Sequence, residues 1–274
     1  MSHADGASAI QGDLPSSATV VVDVPMEAGE SLDTGVRRYS ALRRVRERTE
    51  QALAGVTGLA ITIGGDCAAA LPAIAHAARS GDGPLGLLWL DAHPDLHTPE
   101  TSPSGNFGGM VLRAVLGEGA EGLALAGDER VAPGRVVLGG ARAVDEEEAR
   151  FVEEHGIALL TPGDLADPST VVAALEATGA ERVFVHVDLD VLDPSALAGL
   201  SYPLPFGVDT PELVALLRAV VARFPIAGAA IAGFAPSSPE AATDDLPAIL
   251  RIVGAISAAG ARAAAPDEEA VDGS

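Results

Sequence analysis

The chain has 274 residues, 48% of them hydrophobic, and a formal net charge of −22 at pH 7. That length and apolar content suit one large α/β domain or two small ones and exclude disorder along the whole chain. All 17 basic residues are Arg, and a chain this acidic is repelled by phosphate backbones and anionic membranes, which argues against nonspecific nucleic-acid binding.

In chain order, residues 1–17 are polar, lack a basic-then-apolar leader pattern, and read as a flexible N-terminal tail. A β-branched run at 19–24 is the first expected strand. An amphipathic helix follows at 34–53, with Val36, Tyr39, Leu42, Val45 and Leu53 on one side. Its other side carries Arg37, Arg38, Arg43, Arg44, Arg46 and Arg48, a pattern of a solvated face or a subunit contact more than of a basic partner-binding face. Strands at 59–63, 85–90, 135–138, 157–160, 182–187 and 226–231 then alternate with helices at 68–80, 107–116, 145–155, 169–178, 211–223 and 245–258. Such alternation predicts a mostly parallel sheet covered on both faces, an α/β domain over 18–262, followed by an acidic flexible C-terminal tail at 263–274. No apolar run approaches the ~18 residues of a membrane helix. One Cys excludes an internal disulfide and fits a reducing, cytoplasmic setting.

Ligand sites in open parallel sheets form at the carboxyl ends of strands. Three expected strands end in chemistry-bearing residues: Gly64-Gly65-Asp66-Cys67, Asp91-Ala92-His93-Pro94-Asp95, and Asp188-Leu189-Asp190. Alternate residues of an extended segment point the same way, so Asp91, His93 and Asp95 are expected to converge, with Asp188 and Asp190 joining them from another strand. Four carboxylates in one cleft repel each other, and divalent cations remove that penalty. Oxygen ligands with one imidazole suit Mn²⁺ or a similar ion, and the ligand count suffices for two metals sharing bridging carboxylates.

The segments GGDC at 64–67, WLDAHPDLHTPETSPSGNF at 89–107 and HVDLDVLDPS at 186–195 resemble, in order and spacing, the signatures of the ureohydrolases, the arginase and agmatinase family. The resemblance spans about residues 55–255. It implies a three-layer α/β/α sandwich with paired Mn²⁺ at the strand ends. It also implies hydrolysis of linear amidines such as arginine, agmatine or guanidinobutyrate, with a metal-bound hydroxide attacking the amidine carbon and urea released. Carried over, Asp91 and Asp188 are the bridging carboxylates, His93 and Asp190 further ligands of one metal, and Asp95 a ligand of the other that also orients the hydroxide. Ser102, Ser104 and Asn106 fall in the substrate-contacting loop, and Asp145 falls near the substrate's distal end. Family members are usually trimers or hexamers, so a homo-oligomer acting on a small guanidino or amidine substrate is expected.

Three positions depart from that pattern. Cys67 stands where a metal-binding His is usual, and as a thiolate it prefers softer ions than Mn²⁺. Gly108 replaces a His that relays protons or contacts substrate; His97, nearby in sequence, is the candidate substitute. Gly233 replaces a Glu that faces the guanidinium. The strand–helix unit that opens the family's sheet is also expected to be missing. His186 shares a strand face with Asp188 and reads equally as a support for the metal site or a core histidine. His76 and His155 sit on expected helices and read as structural or exposed, and Asp193-Pro194 reads as a turn. Two other readings stay open: a degenerate family relative that binds metal or ligand without turnover, and a single-metal amide or acetyl hydrolase on the same fold.

Overall fold

The structure, a computed structural model, describes residues 3–264, with side chains over 5–260. Six strands, β1 (Ile61–Ile63), β2 (Leu85–Leu90), β3 (Val136–Gly139), β4 (Ala158–Leu160), β5 (Arg182–Asp188) and β6 (Ile226–Ala232), form one sheet in the order β1-β6-β5-β2-β3-β4. Every pairing is parallel. Each strand therefore needs a crossover, and the crossovers are largely helical. The helices are α1 (His3–Gly12), α2 (Tyr39–Leu53), α3 (Ala70–Arg79), α4 (Val111–Val115), α5 (Glu146–His155), α6 (Pro162–Leu165), α7 (Pro168–Ala177), α8 (Thr210–Arg223) and α9 (Pro239–Ala264).

Side-chain alternation along the strands divides the core in two. Leu87 and Trp89 of β2 join Tyr39, Leu71, Ile74, Leu112 and Phe151, so α2 to α5 cover one face. Leu88 and Leu90 join Ile10, Val171, Leu175, Leu213, Leu217, Ile249 and Ile252, so α1, α7, α8 and α9 cover the other. The result is the parallel sheet covered on both faces expected from the alternation of elements, and the three-layer α/β/α sandwich that the resemblance implies. No helix among the described residues is long and apolar enough to cross a membrane.

Three segments differ from expectation. Residues 3–12, expected within a loose tail, form α1 with Ile10 buried. The helix comes close enough to the end of β6 that a Cβ on Gly6 would lie 1.9 Å from the Phe234 carbonyl oxygen, an approach only glycine permits. Residues 19–24, expected as a strand, pair with nothing in the sheet, and Val20, Val21 and Val24 are exposed. Among the described residues no strand precedes β1, which lies at the sheet edge. The helix expected from residue 34 begins at Tyr39, because Gly35 and Arg38 take left-handed backbone at φ of 73° and 61°. Arginines of α2 pair with acids: Arg46 with Glu50 at 2.8 Å and Arg48 with Asp23 at 2.7 Å. Of the expected tail at 263–274, the first two residues end α9 and the rest lies outside the described residues.

Candidate metal centre

Because the sheet is parallel, its carboxyl ends lie along one edge, and adjacent strands deliver adjacent groups. β1 leads to Cys67, β6 to Gly233, β5 ends in Asp188, and β2 runs into Asp91. Asp91, His93 and Asp190 present donor atoms within 4.8 Å of one another. His93 Nδ1 lies 3.0 Å from Asp190 Oδ2 and 3.4 Å from Asp91 Oδ1. Backbone amides hold these carboxylates in place: His93 N donates to Asp91 Oδ1 at 2.7 Å and Ala92 N to Asp190 Oδ1 at 3.0 Å. Asp190 N donates to Asp188 Oδ1, also at 3.0 Å.

A second group shares Asp91 and adds Cys67 and His186, again within 4.8 Å. Cys67 Sγ lies 3.1 Å from Asp188 Oδ2 and 3.5 Å from Asp91 Oδ2. His186 is fully buried, stacked on Trp89 with ring centroids 3.7 Å apart, and neither ring nitrogen has a hydrogen-bond partner. Its Nε2 lies 4.0 Å from Asp91 Oδ2. Asp95 belongs to neither group. Its backbone is left-handed at φ 55°, so it departs from the extended alternation, yet its carboxyl remains within electrostatic reach of Asp91, His93 and Asp188. It is buried beside Cys67, and its Oδ2 has no partner.

Burial, then the charge of Asp190, pushes the Asp91 carboxyl up to about 7. Burial, then neighbouring aspartates, holds Asp95 and Asp188 well above the usual carboxylate range, and burial with Asp95 beside it raises the Cys67 thiol. Burial favours neutral His93, but hydrogen bonds to Asp190 and Asp91 outweigh it and push its pKa up to about 11. Burial drives His186 down to about 3, so it stays a neutral donor. Partnerless buried atoms on Asp95 and His186, together with carboxylates that resist ionising, are what a divalent cation would relieve. The residues therefore fit a metal. The Asp91, His93 and Asp190 set suits a borderline-hard ion, and the Cys67, Asp91 and His186 set a softer one.

The loop after Asp95 connects to α5. His97 sits between Thr101, 3.2 Å from its Nδ1, and Asp145, 2.9 Å from its Nε2. Asp145 also caps α5, accepting from the amides of Glu147 and Glu148. Glu148, buried at 5% exposure, accepts from the Leu96 amide at 3.1 Å and lies 3.9 Å from His97. Burial raises its pKa. His97 thus meets Asp145 and Glu148, a third donor group within 4.8 Å, and not the Asp91 cluster. Ser102 and Ser104 accept from the amides of Gly105 and Asn106, shaping the loop, and Asn106 is exposed.

Two positions behave differently where the family pattern is broken. A Cβ on Gly108 would meet nothing within 4 Å, so a side chain fits there. A Cβ on Gly233, at φ 84°, would lie 2.0 Å from Asp188 Oδ1, so the Asp188 carboxylate fills that space instead. Sequence reasoning passed over three residues. Glu148 was hidden in an acidic run, although its spacing from Asp145 is that of a capping box. Arg142 lies behind the cluster and donates to the carbonyls of Asp190 and Leu204 at 2.8 and 2.9 Å, and also to those of Gly140, Val191, Leu192 and Pro205. The Tyr202 and His93 rings stand nearly perpendicular, with centroids 6.2 Å apart.

A doubly covered parallel sheet with oxygen, nitrogen and sulfur donors converging at its strand ends defines an α/β protein with residues that could hold a divalent metal. The sequence model of the Arginase family matches residues 7–253. The arginase of Bacillus caldovelox is 35% identical over 205 residues, covering 69% of this chain and 68% of that protein. An N(omega)-hydroxy-L-arginine amidinohydrolase of Streptomyces lavendulae is 31% identical over 222 residues, covering 80% and 76%. The crystal structure of arginase from Bacillus subtilis superposes with a TM-score of 0.76 at 27% identity, covering 91% of each chain. The chain belongs to the arginase family, whose members are hydrolases of C–N bonds in linear amidines.

Proposed function

We propose that this chain is a manganese-dependent hydrolase of guanidino compounds that releases urea. The observation that carries the reading is the convergence of Asp91, His93 and Asp190 within 4.8 Å, beside the further buried carboxylates Asp95 and Asp188, in an arginase-family fold. Asp91, His93 and Asp190 would hold one cation. Cys67, Asp91 and His186 would offer donors to a second, with Asp188 and Asp95 beside them. Bound cations supply a water of lowered pKa and neutralise the aspartates.

Asp95 accepts a hydrogen bond from the attacking water through the Oδ2 that no protein group uses, fixing its orientation toward the amidine carbon. Collapse of the tetrahedral species requires a proton on the leaving amine. His97, oriented by Asp145, is the proton carrier in this reading. Ser102, Ser104 and Asn106 face the substrate from the loop. Each serine hydroxyl accepts from a loop amide and has a proton to donate to a substrate carboxylate. Asp145, shared with His97, bounds the distal end. The family resemblance supports a homo-oligomeric, trimeric or hexameric assembly, and the single buried free Cys supports a cytoplasmic setting.

A screen for urea release from arginine, N-hydroxyarginine, agmatine and guanidinobutyrate, with manganese supplied and bound metal counted, tests the reading. Turnover of one compound with two ions per chain supports it, and absence of both urea and metal sinks it. Cys67 favours a second reading, in which only the Asp91 cation is held and an amide is cleaved. One ion with amide hydrolysis would decide for that reading. A Cys67→His variant separates a weakened second site from an abandoned one.

A further inference from the structure

We propose that Tyr202 recognises the cationic amidinium group of the substrate through the face of its ring. This rests on the guanidino-hydrolase reading and names the group that selects for positive charge. A guanidinium held beside Asp91 and His93 needs an electron-rich partner, and the neighbouring carboxylates are committed as metal donors. Position 233 offers none, because the Asp188 carboxylate lies where its side chain would be.

Tyr202 is tied to that same strand end. Its neighbour Ser201 donates to the Gly233 carbonyl twice, from N at 3.0 Å and from Oγ at 2.9 Å. Leu200 bridges to Phe234, and Ala235 N donates to the Gly199 carbonyl at 2.8 Å. From α9, the buried Asp245 accepts from the Ala198 and Gly199 amides at 3.2 and 2.7 Å. The far side of the loop is pinned by Asp193, which accepts from the Phe206 amide at 2.7 Å. Between these anchors the Tyr202 ring stands 6.2 Å from the His93 ring, nearly perpendicular to it, and is 57% exposed, so a ligand over the metal donors covers it. An aromatic face within about 6 Å of a cation is attractive by roughly 0.5–2 kcal/mol. Because the loop is already fastened, little ordering cost offsets that attraction.

The test compares 4-guanidinobutyrate with its neutral isostere 4-ureidobutyrate, both titrated calorimetrically into manganese-loaded protein, with KM and kcat measured for the guanidino compound. Tyr202→Leu and Tyr202→Met remove the ring while keeping bulk, and Tyr202→Phe keeps it. The inference expects Leu and Met to weaken guanidino binding by roughly 2- to 30-fold, the range of that interaction. Ureido binding and melting temperature stay nearly level, KM for the guanidino compound rises in step with the weakened binding, and Phe stays near wild type. Equal weakening of both ligands, or of neither, overturns the inference while wild-type turnover leaves the functional reading standing. A wild type that neither binds nor hydrolyses any guanidino compound overturns the functional reading, and this inference with it.

Discussion

Gly233→Ala is expected to be severe although it adds one methyl group. The added Cβ would lie 2.0 Å from Asp188 Oδ1, well inside contact distance. An L-residue at φ 84° also bears a left-handed penalty of roughly 1–2 kcal/mol. Relief requires moving the Asp188 carboxylate, which accepts from Asp190 N at 3.0 Å and sits 3.1 Å from Cys67 Sγ. Leaving a buried polar group unsatisfied costs about 1–3 kcal/mol. Together the change destabilises by roughly 2–5 kcal/mol, a fall in melting temperature of roughly 3–9 °C for a chain of this size. Thermal unfolding with and without manganese reads the effect, and metal affinity should fall in parallel. Gly254→Ala in α9 is the paired control. Its Cβ meets nothing within 4 Å, so it should stabilise by roughly 0.5–1 kcal/mol. A Gly233→Ala protein with wild-type melting and metal binding would show that Asp188 is not seated against the end of β6. The same geometry predicts that Gly233→Glu cannot simply restore the family's carboxylate.

Gly108→His should be accepted, since nothing lies within 4 Å of its Cβ; stability within ~0.5 kcal/mol and a kcat raised by on the order of tenfold are expected. An unchanged kcat would place the slow step elsewhere. Glu148→Ala orphans the Leu96 amide and should cost about 1–3 kcal/mol, with faster hydrogen exchange across 95–102; Glu148→Gln should recover most of it. Metal-free protein should lose stability as pH rises above 6.5. His93, raised to about 11, contributes fully below 6.5 and progressively less as pH climbs toward 11, about 2 kcal/mol by pH 8. Asp95 and Asp188, also raised, act in the same direction, whereas His186, lowered to about 3, loses its contribution only below 6.5. Saturating manganese should abolish the alkaline decline; melting curves at pH 6.5 and 8, with chelator and with metal, check it.

The six strands were readable because each is a short apolar run ending in polar or glycine residues, as in β2 before Asp91. Residues 19–24 show the limit of that signal. Three valines give β propensity, but a strand requires a hydrogen-bonding neighbour, and none pairs with them. Helix α1 was illegible for the opposite reason: its one large buried side chain, Ile10, is covered by residues far along the chain. Within the site, motif spacing identified Asp91, His93 and Asp190, which cluster. It could not foresee the left-handed turn at Asp95, which depends on backbone geometry beyond alternation. Nor did it separate the two readings of His186, whose contacts with Trp89 and Asp91 come from a neighbouring strand. Tyr202 carried no motif, and its relevance comes from a loop folded back onto β6.

Arg142 gives the loops around the site a particular kind of evolvability. Its guanidinium is held by six main-chain oxygens, from Gly140, Asp190, Val191, Leu192, Leu204 and Pro205. Every residue type offers a carbonyl, so side chains at the exposed positions beside these carbonyls, such as Tyr202 and Pro203, can vary without removing this anchor. Substrate preference and loop architecture are thereby uncoupled: the one can drift while the other stays fixed.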